Sequence, residues 1–192
     1  MSDGGDAART IYLPPWRVDL TVRAGVPRLL SGTALAGAVG MALEAAGAPR
    51  PASVALILSD DAELSELNAA HMGKAGPTDV LAFPLRPSEA YPPHEGGSVD
   101  GRREPASRPA LADFSLPPGA RPHLGDIVVS VERAIEQAEG GRAGQTGDVR
   151  WSPADELRLL VTHGTLHLCG WDHAEPTEEA AMRALERRLL AR

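Results

Sequence analysis

The sequence predicts an α+β domain of four short strands and about five helices, and three observations carry that prediction. Four segments have the patterning of strands: RVDLTVR (17–23), SVALILS (53–59), PTDVLAFPL (77–85) and LGDIVVS (124–130). Around them lie stretches with helical starts and stops, polar or proline residues at one end and glycine beyond the other. The chain has 192 residues, enough for one domain with a substantial core and too few for two comfortable ones.

In chain order, RVDLTVR alternates polar and apolar residues as a half-buried strand does. Pro27 opens a Leu- and Ala-rich helix that runs to about Ala46 and closes before Gly47. The near-continuous apolar run of SVALILS reads as a strand buried on both faces. Asp60, with Glu63 three residues later, resembles a capping box and opens a helix over ELSELNAAH. After the third strand, residues 86–122 hold many prolines, glycines and charges without a period. They read as a disordered insertion or else a flap, since so long a connection is unusual inside a compact domain. The fourth strand ends at Ser130, which can cap the helix VERAIEQAE before Gly140-Gly141. After a second polar loop, Ser152 reads as an N-cap, Pro153 as the first turn, and Asp155 and Glu156 as charges facing the helix dipole. That helix reaches Gly170, and a last amphipathic one starts at Thr177 with Met182, Leu185 and Leu189 on one face.

Composition narrows the class of function. Hydrophobic residues make up 43% of the chain and aromatic ones only 4%, so the core is mostly aliphatic. No apolar run approaches the roughly 18 residues that span a bilayer. MSDGGDAART has an acidic start and no apolar core of a signal peptide, and the single cysteine, Cys169, fits a reducing compartment. A cytoplasmic protein without membrane or DNA partners is the expectation. The formal net charge of −7 sets the bulk field against nucleic acid. An RNA substrate would need a local arginine-lined groove, because Lys74 is the only lysine.

The chemistry concentrates in HGTLHLCGWDH, residues 163–173. His163 and His167 stand four residues apart on one helix, so their imidazoles project from the same face about one turn apart. Two such nitrogens can meet one tetrahedral metal at ~2.0–2.1 Å. Gly170 lets the chain reverse, and His173 can return as a third ligand from outside the helix. Three protein ligands leave a fourth position open, the mark of a catalytic rather than a structural zinc site. Half of the chain's six histidines fall within these eleven residues. Cys169 faces another direction and reads as a small packed hydrophobe, while Asp172 is either a fourth ligand or, preferably, an outer hydrogen-bonding partner. The spacing resembles the HExxHxxGxxH of zinc peptidases, with Gly164 where those enzymes carry glutamate. That glutamate moves the proton between water and the leaving amine, and glycine cannot.

On these residues the chain is identified with a family. HGTLHLCGWDH resembles the HGxLHLxGxDH signature of the YbeY family of bacterial zinc-dependent endoribonucleases. PTDVLAFP (77–84) resembles that family's PTDVLSFP, LGDIVVS its GDI-type strand, and LNAAHMGK (67–74) the stretch just upstream. The resemblance implies a small mixed sheet packed by helices, with zinc at a cleft, across a single metal-dependent hydrolase domain of residues 1–192. It implies cleavage of single-stranded RNA, maturation of ribosomal RNA at the small-subunit 3′ end, and ribosome quality control. Partners would be ribosomal RNA and the small subunit or its assembly factors. His163, His167 and His173 carry over as ligands of one zinc per chain. Asp126, in the GD pair, carries over as an acidic position expected near the metal, or else as a strand-end cap. Lys74 is expected to hold phosphate. Where the family usually places arginine before the Gly-Lys of this loop, the chain has Met72. Two rivals stand beside this reading: a zinc peptidase or amidase, and a ribosome-assembly factor whose zinc is structural.

Overall fold

The computed structural model describes residues 5–94, 120–140 and 151–191. Its sheet contains β1 (Ala7–Leu13), β2 (Trp16–Val22), β3 (Ala52–Ser59), β4 (Val80–Pro84) and β5 (His123–Ser130), in the order β1-β2-β3-β5-β4. The β1–β2 and β4–β5 pairs are antiparallel, whereas β2–β3 and β3–β5 are parallel. The mixed α+β class therefore holds, with five strands rather than the expected four. The unforeseen strand, β1, is an edge strand whose residues are exposed or half-buried, so it shows no apolar face for a period-two reading to find. Its pairing, from Leu13 opposite Trp16 to Ala7 opposite Val22, is what makes it a strand.

The helices are α1 (Gly32–Ala45), α2 (Asp61–Leu67), α3 (Val131–Glu139), α4 (Pro153–Leu168) and α5 (Pro176–Leu190), and a π-helical turn, Asn68–Met72, extends α2. Helix α1 starts five residues later than Pro27 suggests, because Ser31 supplies the cap: its hydroxyl accepts from the Ala34 N–H at 3.2 Å. At α2 only half of the expected capping box forms. Asp60 accepts from the Glu63 N–H, but the Glu63 carboxylate turns to Arg23 and Ser59 instead. Arg23 also pairs with Asp6 and so ties the β1–β2 hairpin to α2. The full box does form at α4, where Ser152 and Asp155 cap one another around Pro153.

Helices α1 and α4 lie on one face of the sheet, with α3 and α5 against α4. This face holds the main core, including Val54, Leu56, Ile127, Leu160, Leu166 and Leu168, all almost fully buried. Each such side chain contributes roughly 1.5–3 kcal/mol on burial, so α4 is firmly seated. The opposite face has a smaller cluster, Leu64 of α2 with Leu81 and Val128. Both ends of the expected insertion at 86–122 make contacts with the rest of the domain. A 3₁₀ turn at Ser88–Ala90 leads to Tyr91, which is buried in the main core. At the other end the Pro122 carbonyl accepts from the Ser53 N–H at 2.9 Å. Residues 95–119 lie outside the described residues.

Candidate metal centre

Helix α4 carries His163 and His167 to its C-terminal end with their rings edge to face, centroids 4.4 Å apart. Gly170 then reverses the chain at φ +85°, a conformation that favours glycine, and His173 comes back over both rings. The three side chains bring one nitrogen each to within 4.8 Å of one another. The sequence spacing places these three together, and the structure does so.

The outer nitrogens are already engaged. His163 Nδ1 donates to the Glu186 carboxylate at 2.7 Å, and His167 Nδ1 donates to the Trp171 carbonyl at 2.8 Å. With protons held on Nδ1, the Nε2 lone pairs of the two rings face each other across 3.0 Å. Two bare lone pairs at that distance repel unless a cation lies between them, so the donor set fits a metal. Burial, then the charges of His163 and His173, pushes His167 down to about 4, keeping it in the neutral form that a ligand needs.

Gly164 faces away from the histidines, toward the sheet. A Cβ at this position would lie 2.8 Å from Ile127 Cγ2 and 2.8 Å from Val80 Cγ2. The glycine therefore seats α4 on β4 and β5, and the side chain that serves peptidases as a base has no space there. Cys169 is buried and burial pushes its thiol up to about 12, as a packed hydrophobe would show. Asp172 accepts from the backbone N–H of His173, which helps shape the turn.

Asp126 is not brought to the histidines. Its strand neighbour Ile127 points at α4, so the period-two alternation turns Asp126 to the opposite face, beside its cross-strand partner Phe83. There it accepts from His123 Nε2 at 2.8 Å, and His123 Nδ1 is 3.2 Å from the Ser53 hydroxyl. The GD pair alone, expected near a metal or else as a strand-end cap, does not fix which face of the strand Asp126 takes. Met72, the last residue of the π-helical turn, is 47% accessible, and Lys74 is exposed on the loop that follows it. This loop leads into β4, whose Val80 packs at Gly164.

The family model described as "Endoribonuclease YbeY" matches residues 32–192, the whole region that builds this centre. The chain belongs to the YbeY family. Among proteins named endoribonuclease YbeY, that of Salinispora tropica is 44% identical over 151 residues, 78% of this chain and 80% of its own length. That of Symbiobacterium thermophilum is 38% identical over 78% of each chain. Against the Mycolicibacterium smegmatis protein, at 40% identity, the match spans 62% of the relative's length.

One residue in contact with the histidine cluster of this YbeY-family chain, Glu186, does not stand out in the sequence. In a run of arginines and leucines it resembles any surface charge. The available signal was phase: Glu186 stands four residues after the core residue Met182, so it shares the buried face of α5, and it is buried. A carboxylate on a core face requires a partner, and His163 is that partner.

Proposed function

We propose that this chain is a zinc-dependent endoribonuclease that cleaves single-stranded RNA, acting in the cytoplasm on ribosomal RNA at the small-subunit 3′ end and in ribosome quality control. One observation carries the reading: three imidazoles converge at the C-terminal end of a helix that has packed a glycine where a peptidase needs its base. His163, His167 and His173 would hold one zinc per chain. When bound there, the metal supplies a Lewis acid that acidifies water and polarises a phosphoryl oxygen. Glu186 and the Trp171 carbonyl hold the two helical imidazoles in the ligating tautomer and orientation. Lys74 offers a point charge to the RNA backbone. Because Asp126 faces away, proton transfer falls to the substrate's own groups. Among the described residues no helix is long and apolar enough to cross a membrane.

Met72 supports one rival, a ribosome-assembly factor with structural zinc, since the chain puts no charge at this exposed position. Purified protein incubated with single-stranded RNA and with peptide pools, with and without chelator, separates the readings. RNA cleavage that stops with chelator, returns with zinc and is lost in His167→Ala is the expected result. Zinc-loaded protein that binds RNA without cutting it would establish the assembly factor, and peptide hydrolysis would establish the peptidase.

A further inference from the structure

The connection after β4 returns to the metal centre from a direction the signature motif does not contain. Tyr91 is 6% exposed and anchors this connection in the main core. Its N–H donates to the Ser88 carbonyl at 3.1 Å, fixing a compact turn. Ser88 lies against the turn at Gly170, its Cβ 3.0 Å from where a Gly170 side chain would begin. Three residues past Tyr91, the His94 ring stacks on the Trp171 indole, with centroids 4.0 Å apart and planes 10° from parallel. His94 Nε2 is also 3.4 Å from the Gly170 carbonyl oxygen.

Trp171 has two duties toward the histidines. Its carbonyl orients His167, and it stands two residues before His173 in the turn that delivers the third ligand. A shift of Trp171 therefore disturbs two of the three ligands together. The turn's backbone hydrogen bonds run inward, from the Gly170 and Trp171 N–H groups to the His167 and Leu166 carbonyls. The stack with His94 holds its outer side.

We propose that Ser88–His94 is a clamp on the ligand turn, with His94 as a positioning residue that acts through Trp171 to preorganise the metal centre. The inference rests on the reading of these histidines as a metal site. A turn already ordered by the clamp loses less conformational freedom on binding the ion, so the clamp raises affinity without touching the metal. The expected effect is that of other partners one shell removed from a metal, about tenfold or more in affinity.

The test uses zinc alone as the probe, in competition with a chromophoric chelator, on the full chain and on His94→Ala and His94→Phe. Cobalt absorption spectra of the same proteins report ligand geometry, and melting of the metal-free forms reports stability. The expected result is about tenfold weaker zinc binding and an altered cobalt spectrum in His94→Ala. His94→Phe, which keeps a ring to stack, restores both to within about twofold of the parent. Should the alanine variant not fold, His94→Gln, polar but ringless, serves in its place. Equal zinc affinity in all variants overturns the clamp and leaves the metal centre standing. Loss of affinity that phenylalanine does not restore also overturns it. A parent chain that takes up no zinc overturns both readings.

Discussion

Restoring the peptidase glutamate by Gly164→Glu unseats helix α4 and creates no peptidase. The first side-chain atom would sit 2.8 Å from Val80 Cγ2 and 2.8 Å from Ile127 Cγ2. Both neighbours are β-branched and stiff at χ1, on adjacent paired strands, so neither can swing aside alone. Alanine at this position gains about 1 kcal/mol of helix propensity over glycine. Overpacking costs about 1–3 kcal/mol, so Gly164→Ala is neutral to destabilising by about 2 kcal/mol. Glutamate adds a carboxylate pressed against methyl groups, a further cost of about 1–3 kcal/mol. A net loss of about 3 kcal/mol, at roughly 2–4 °C per kcal/mol for a chain of this size, lowers Tm by about 6–12 °C. Thermal and urea unfolding of metal-free parent, alanine and glutamate forms measures the series. A glutamate variant as stable as the parent, or one that hydrolyses peptides, would refute the assignment of Gly164 to packing.

The remaining predictions concern charge and burial. Met72 is 47% exposed, so Met72→Arg folds normally. If RNA passes this loop, the new phosphate contact steepens the log–log salt dependence of single-strand binding by about 0.7, and an unchanged slope means that RNA does not. The guanidinium of Arg23 holds the Glu63 carboxyl below its ordinary value of 4.5. A depressed folded value contributes stability that is full above the unfolded value and is lost as pH falls through the folded one. Glu63→Gln therefore lowers Tm at neutral pH and flattens its fall in acid; parallel Tm–pH curves for the two proteins would show that the pair contributes nothing. The Tyr91 hydroxyl is buried without a hydrogen-bond partner among the described residues, so Tyr91→Phe is neutral or stabilising by up to about 1 kcal/mol. Tyr91→Ala loses about 3–5 kcal/mol, and a clear loss in the phenylalanine variant instead would reveal a partner for the hydroxyl.

How far the sequence could be read follows from what each signal encodes. The histidine cluster was legible because helical spacing and a glycine stop convert directly into geometry, and all three lie within eleven residues. The capped helices were legible for the same local reason, Ser152 with Asp155 above all. β1 was not, because an edge strand is defined by its partner's hydrogen bonds rather than by its own apolar face. The face that Asp126 takes was not legible, because β5 takes one extra residue against β3 between His123 and Asp126, and such an irregularity resets which residues face α4. Proline and glycine content hid Tyr91 and His94 inside an apparent insertion, since composition averages over the few residues that pack.

The two orienting acceptors at the histidines differ in kind. The partner of His167 is a main-chain carbonyl, at Trp171, and the partner of His163 is a side chain, Glu186. No substitution at position 171 deletes a carbonyl, so His167 keeps its acceptor through any mutation that spares the turn. His163 has no such protection. Position 186 is thus a dial: Asp, Gln and Ala there form a graded series in the basicity and orientation of the His163 imidazole while that of His167 stays constant. Under the proposed metal reading, affinity in this scaffold can drift by small steps through a residue that no metal-binding motif includes.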